Sequence, residues 1–292
     1  MTDRPPGAGT IAEALSAAEE ELRTAGVATP QEDALRLVEH ATGLDHGRIR
    51  LRLDRPMDAA ELSALDSLVA RRAAREPLQH VLGSWPFLEL DLAVDARALI
   101  PRPETEDVAL AARARLAESG GARAADVGTG GGCIALALAR AEPRVRVVGL
   151  DRSAGALALA AENARRTGLE GRVRFVHGDL AAPLAPAGRL DLIVANLPYV
   201  GRDEAPSLEP EVIDHEPDEA LFAGDGGLDL IARLAVEVPS RLVPGGWLVL
   251  EIAPRQGRAA SSLLFAAGLR DVSVARDRFG RERIVSGRRV EG

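Results

Sequence analysis

"ADVGTGGGCIALALAR" occupies residues 125–140, directly behind the polar stretch "ESGGAR". A short apolar segment closes on Asp126, glycines follow at 128, 130, 131 and 132, and an apolar run from Cys133 to Arg140 begins at once. Glycines at such a junction let the backbone turn tightly. They also leave room beside the first N–H groups of the helix, which have no partner within it. A strand, a glycine turn and a helix in that order open a parallel α/β sheet with a ligand site at the turn. The dinucleotide fingerprint needs glycine at its first, third and sixth positions. Counted from Gly128 the sixth is Cys133, so this loop does not specify a dinucleotide.

The alternation continues downstream. Strand candidates are Ala124–Val127, Val145–Leu150, Val173–His177, Leu190–Ala195 and Trp247–Ile252, with helical segments between them. That order implies parallel strands joined by crossover helices. "LRDVSVARD" and "RERIVSGRR" flank a short turn containing Gly280 and should pair antiparallel. Upstream, Leu88, Leu90, Leu92 and Val94 alternate with Glu89 and Asp91, a hairpin signal. Before it lie short helices with clear starts: Thr10 with Glu13, Thr29 followed by Pro30, and Asp58 with Glu61. The expected division is a helical domain over 1–83, a linking hairpin over 84–97, and an α/β domain over 98–292.

The turn Asp126-Val127-Gly128-Thr129-Gly130-Gly131-Gly132 has the D-x-G-x-G-x-G form, which resembles the first motif of class I S-adenosyl-L-methionine (AdoMet) methyltransferases. Asp151 closes the next strand, where a carboxylate can accept both hydroxyls of a ribose. As a helix cap it is second to Ser153. "GDL" ends the third strand, and in these methyltransferases the corresponding segment lines the adenine; Asp179 suits a turn equally well.

The fourth strand delivers "NLPY" at 196–199, with the chain's one tyrosine. Asn-x-Pro-Tyr resembles the motif of methyltransferases that act on a nitrogen conjugated to a π system, either adenine or the amide of glutamine. Such a nitrogen is planar, its lone pair is delocalised, and it attacks a sulfonium methyl poorly. The Asn196 side-chain oxygen and a backbone carbonyl held by the rigid Pro198 can accept both N–H hydrogens and aim the lone pair. The Tyr199 ring can pack on the planar group.

Composition removes other chemistries. All 36 cationic residues are arginine, so lysine Schiff bases are absent, and the net charge is −8. "RIRLRLDR" (48–55) and "ARRAAR" (70–75) read as solvated helix faces. The acidic segment "DEAPSLEPEVIDHEPDEA" would repel a phosphate backbone, so no nucleic-acid substrate is expected. Cys133 is the sole cysteine and the five histidines are scattered, which leaves no metal set. With no secretory signal and no window approaching the ~18 apolar residues of a membrane span, a cytoplasmic protein is expected, and a monomer.

"PLQHVLGSWPF", "LIPRPETED", "DVGTGGGCIALALA", "NLPYV", "HEPDEALFAGDGGLDL" and "PGGWLVLEIAPRQG" occur in the order found in the PrmC/HemK family, and together they resemble it. These are protein-(glutamine-N5) methyltransferases that modify peptide-chain release factors. The resemblance implies a Rossmann-like domain whose seven-stranded sheet ends in an antiparallel strand, preceded by a small helical substrate-recognition domain and a hairpin. It implies AdoMet, leaving as S-adenosyl-L-homocysteine, held by Asp126, Gly128, Thr129, Gly130, Gly131, Gly132, Asp151, Asp179, Leu180 and Asn196. It places the substrate glutamine against Asn196, Leu197, Pro198 and Tyr199, with Asn196, Pro198 and Tyr199 catalytic, and puts Arg102 and Glu104 near the methionine end of the cofactor. Leu197 stands where the family usually has a second proline, and the resulting Asn-Leu-Pro-Tyr form is also that of ribosomal-RNA adenine dimethyltransferases; Leu180 stands where the family can carry an aromatic. Two other readings share these features: a nucleic-acid adenine N6-methyltransferase, and a catalytically silent module that binds AdoMet or a release factor.

Overall fold

Thr10 and Asp58 start helices in the same way. Each side chain accepts the backbone N–H three residues on, and Glu13 and Glu61 return the bond to the cap. In the computed structural model, which describes residues 9–185, 190–224 and 227–291, the chain forms two units. One comprises residues 1–83 with 209–215, the other 84–208 with 216–292.

The first unit is helical: α1 (Ile11–Thr24), α2 (Pro30–Thr42), α3 (His46–Arg50), α4 (Ala59–Ala73) and α5 (Leu78–Leu82). Ile11, Leu22, Leu37, Val38, Leu65 and Val69 are its buried stripe. The core also contains charge. Arg72 is only 6% exposed and donates to Asp33 Oδ2 at 2.7 Å, while its other arm lies 2.9 Å from Glu211. Arg75 reaches Glu211 at 2.6 Å. "ARRAAR" is therefore not simply a solvated face: Arg72 faces inward because two carboxylates meet it there.

The second unit opens with a hairpin, β1 (Ser84–Phe87) and β2 (Leu90–Ala93), then α6 (Pro103–Glu118). The sheet follows in β3 (Arg123–Val127), α7 (Cys133–Ala141), β4 (Arg146–Asp151), α8 (Ala154–Arg166), β5 (Val173–His177) and β6 (Leu190–Ala195). A 3₁₀ turn (Arg202–Ser207), α9 (Pro210–Ile213) and α10 (Asp218–Leu221) precede α11 (Asp229–Glu237) and β7 (Leu242–Glu251). The chain closes with α12 (Gly257–Ala266), β8 (Arg270–Arg276) and β9 (Glu282–Arg288). Of these, α9 is the piece that belongs to the helical unit. The sequence division had left it in the α/β domain, since nothing local marks Glu211 as a partner of Arg72.

Strand order is β5-β4-β3-β6-β7-β9-β8, and β9 alone runs against the rest. Period-two alternation sends Ala124, Leu192, Val194 and Val249 to one face, beneath Val108, Ala112, Ile134 and Leu138. It sends Ala125, Val127, Ile193, Leu248 and Leu250 to the other, against Ile231, Leu234, Ala260 and Leu264. Both faces are covered, as a parallel sheet requires. The β7 strand starts at Leu242, ahead of the expected Trp247, by pairing through a register shift near Leu190 and Leu192. From β3 the chain winds outward to β4 and β5, then returns to β6 on the other side. The crevice of such a sheet lies at that reversal, beyond the carboxyl ends of β3, β4 and β6.

Glu211→Ala should destabilise the helical unit by about 2–4 kcal/mol, because it strips Arg75 of its carboxylate and Arg72 of one of two. Chemical denaturation of the variant against the parent measures this, and a cost below about 0.5 kcal/mol would contradict it.

Candidate active site

Asp126, next to last in β3, has its side chain closed off from water, 1% exposed. Its Oδ2 accepts from the Thr129 hydroxyl at 2.7 Å and from the Ala135 N–H at 3.0 Å, so one carboxylate fastens the turn to the first turn of α7. Burial pushes its pKa up to about 7. The strand end thus holds the glycine loop from below. Gly128 has φ of 73°, which favours glycine, and a Cβ there would crowd Leu197 Cδ2 at 3.0 Å.

Asp151, at the end of β4, holds the loop from the other side. Its Oδ2 accepts the Gly130 N–H and its Oδ1 the Ser153 N–H, each at 2.9 Å. Each oxygen keeps further acceptor capacity for a ligand. Ser153, not Asp151, caps α8 by accepting the Ala156 N–H.

Beyond these strand ends lies a crevice that opens to solvent, with roughly 1000 Å³ of space between atoms when its open mouth is included. Gly128, Thr129, Gly130, Gly131, Asp151, Asp179, Leu180, Asn196, Leu197 and Pro198 all line it. Asp126 and Gly132 lie behind the loop and support it. Leu180, buried with φ of 48°, contributes an aliphatic wall. Asp179 is exposed and ion-paired to Arg233. Leu197 is also buried, packed beneath the glycine loop.

Arg102 and Glu104 are outside the lining. Arg102 pairs with buried Glu216, whose other oxygen accepts the Ile100 N–H at 3.2 Å, and Glu104 pairs with Arg281. Glu216 thereby ties the segment carrying Pro217, Glu219 and Ala220, all lining residues, to the approach of α6. The acidic segment is also less of a repelling field than its composition suggests. Glu204, Glu211, Glu216 and Glu219 are each ion-paired with arginine.

The remaining geometry surrounds Asn196. Its Nδ2 donates to the Thr105 hydroxyl at 3.1 Å, and that hydroxyl donates to Glu251 Oε2 at 2.8 Å. Glu251 Oε1 accepts from the Tyr199 hydroxyl at 3.2 Å, and Arg283 approaches the same hydroxyl at 3.4 Å. Tyr199 is turned toward Glu251 and does not line the crevice; the Arg283 guanidinium lies 5.9 Å from its ring centre.

A family model described as the PrmC N-terminal domain matches residues 13–83, and the methyltransferase small domain matches 111–250. Proteins called release factor glutamine methyltransferase are 39% identical over 99% of both chains in Geobacter sulfurreducens. In Deinococcus radiodurans the identity is 43%, over 95% of this chain and 98% of the relative. The chain belongs to the release factor glutamine methyltransferase family. It is an AdoMet-dependent methyltransferase. Among solved structures, a Pyrococcus furiosus methyltransferase superposes with a TM-score of 0.51 at 18% identity, over 70% of this chain and 91% of that one. The 16S rRNA N2 G1207 methyltransferase of T. Thermophilus, bound to AdoMet and guanosine, gives 0.51 at 20% identity, over 70% and 49%. Both show the class I fold.

Thr105, Glu251, Arg283 and Glu216 were missed in the methyltransferase sequence. Thr105 and Glu251 lie inside two blocks already singled out, "PRPET" and "LEIAP", but nothing local says that they meet. Among the described residues no cluster of His, Cys, Asp or Glu could hold a metal. No described helix is long and apolar enough to cross a membrane.

Burial raises the Glu251 pKa to about 7 from 4.5, outweighing Thr105, Arg283 and Tyr199. The folded state then keeps this proton up to about pH 7 while the unfolded chain releases it near 4.5, so the contribution of Glu251 to stability falls as pH rises between those values. Glu251→Gln, which cannot ionise, should gain on the parent by on the order of 2–3 kcal/mol between pH 4.5 and pH 8. A stability difference that is flat across that range in urea titrations would refute the shift.

Proposed function

We propose that this methyltransferase transfers a methyl group from AdoMet to the side-chain amide nitrogen (N5) of the glutamine in the Gly-Gly-Gln loop of peptide-chain release factors. The likeness along nearly the whole chain to proteins of that activity carries the reading. The crevice fits the cofactor: a glycine loop open to a ligand, an Asp151 carboxylate with spare acceptor capacity, and the apolar surface of Leu180. Bound there, AdoMet supplies an electrophilic methyl group on a sulfonium.

The chain's own residues do the rest. Asp151 accepts the ribose hydroxyls, and the turn from Gly128 to Gly132 leaves backbone room beside it. Asn196 Oδ1 accepts one hydrogen of the substrate amide. A backbone carbonyl of the Leu197-Pro198 pair accepts the other. With both hydrogens held, the nitrogen lone pair is turned out of conjugation and toward the methyl. The same two acceptors favour the positive charge that builds on nitrogen as the bond forms. No strong base is required, because the methylated nitrogen becomes acidic and loses its proton afterwards. Tyr199 is fixed by Glu251 and Arg283, and so holds in place the backbone that precedes it. Release factors act in the cytoplasm, so a cytoplasmic location is the corresponding one.

Incubation of purified release factor with this protein and AdoMet should add one methyl mass to the Gly-Gly-Gln glutamine; mass spectrometry showing none, or methyl incorporation into RNA or DNA instead, would overturn the assignment. Asn196→Ala should leave AdoMet affinity within about threefold while lowering kcat by roughly two orders of magnitude or more, the scale of losing one preorganised acceptor or donor at the reacting centre. Normal turnover in that variant would remove Asn196 from the mechanism.

A further inference from the structure

The site as read above needs Asn196 to offer its oxygen to the substrate. An asparagine amide is close to symmetric in shape, with Oδ1 an acceptor and Nδ2 a donor, and turning it over exchanges the two at almost no steric cost. A turned-over Asn196 would present N–H to the N–H of the substrate. Something must therefore choose the orientation.

We infer that Thr105 and Glu251 are positioning residues for the methyl transfer, setting the direction of a hydrogen-bond chain that turns Asn196 Oδ1 toward the substrate amide. Glu251 as a carboxylate can only accept, so the Thr105 hydroxyl must give its one proton to Oε2, across 2.8 Å. The hydroxyl oxygen is then an acceptor toward Asn196, 3.1 Å away, and only Nδ2 can meet it. With Nδ2 engaged, Oδ1 is the atom left for the crevice, which both Thr105 and Asn196 line. The direction originates at a buried anion and is passed through one hydroxyl.

Protonation reverses it. A Glu251 carboxylic acid can donate to the Thr105 oxygen, which frees the hydroxyl proton to point at Asn196 and favours the turned-over amide. The groups facing Glu251 are Thr105 and Glu104 from α6, the Cys133 thiol from α7, Tyr199 from the segment after β6, and Arg283 from β9. Arg283 favours the anion, whereas burial and Glu104 oppose it, which places the change of state near pH 7.

This inference rests on Asn196 acting through its oxygen, and the experiment separates the two. Thr105→Val keeps shape and removes the hydroxyl; Thr105→Ser restores it. Thr105→Val should lower kcat for release-factor methylation about 10- to 100-fold at pH 8, the cost of an unsatisfied buried partner. AdoMet affinity, measured by calorimetry, should stay close to that of the parent, while the thermal midpoint falls because buried Glu251 Oε2 loses its donor. The fall in kcat that the parent shows between pH 8 and pH 6 should be flattened in Thr105→Val, and Thr105→Ser should recover both the rate and the pH profile. Thr105→Val with kcat within twofold of the parent overturns the inference, as does Thr105→Ser failing to recover while remaining folded. If Asn196→Ala is inactive while Thr105→Val is normal, only the positioning role fails. Normal turnover in Asn196→Ala removes the reading beneath it.

Discussion

A carboxylate sealed from water near the end of β3 sets what the crevice can be. Asp126 accepts from Thr129 and from the N–H of Ala135, so the loop it subtends can only leave the strand, turn and enter α7 along one path. A buried carboxylate needs such donors. Asp151 takes the loop from the opposite side through Gly130. Two acids on neighbouring strands thus clamp four glycines that have no side chains with which to hold themselves.

The same device recurs with different partners. Glu251, at the end of β7, orders Thr105 and Tyr199; Glu216 orders the approach to α6. In both cases a buried acid accepts from groups far away in sequence. A protein whose cations are all arginine suits this arrangement. The planar guanidinium can meet a carboxylate with two donors at once, and Arg102 sits beside Glu216 and Arg283 beside the Tyr199–Glu251 pair.

These features differ in how far they could be read before folding. The β3-to-α7 turn was legible because strand, glycines and helix are contiguous, and the spacing itself is the signal. Asp151 was legible because a carboxylate at the end of the next strand has few other uses. The last antiparallel pair announced itself through Gly280. Thr105 and Glu251 stand 146 positions apart, and each looks locally like an ordinary helix-start threonine or an acid ending a strand. Arg72 was misread for the same reason. Its partners are Asp33 and Glu211, 39 positions before it and far after it, so a local count of arginines could only suggest a solvated face.

Leu197 is the position where the chain departs from the usual family motif, and its surroundings explain how the departure is accommodated. The residue is buried with Leu180 and Ala181 beneath the glycine loop, and it lies where a side chain on Gly128 would have to go. A proline in that place would stiffen the backbone of the motif directly. Here stiffness comes from packing instead: leucine fills the space under the loop, and the backbone on either side is held by Asn196 bonding to Thr105 and Tyr199 bonding to Glu251. The identity of residue 197 therefore bears on how firmly the two acceptors are spaced. Its side chain fills the space under the loop and also lines the crevice, so what residue 197 contributes is packing and not a polar contact.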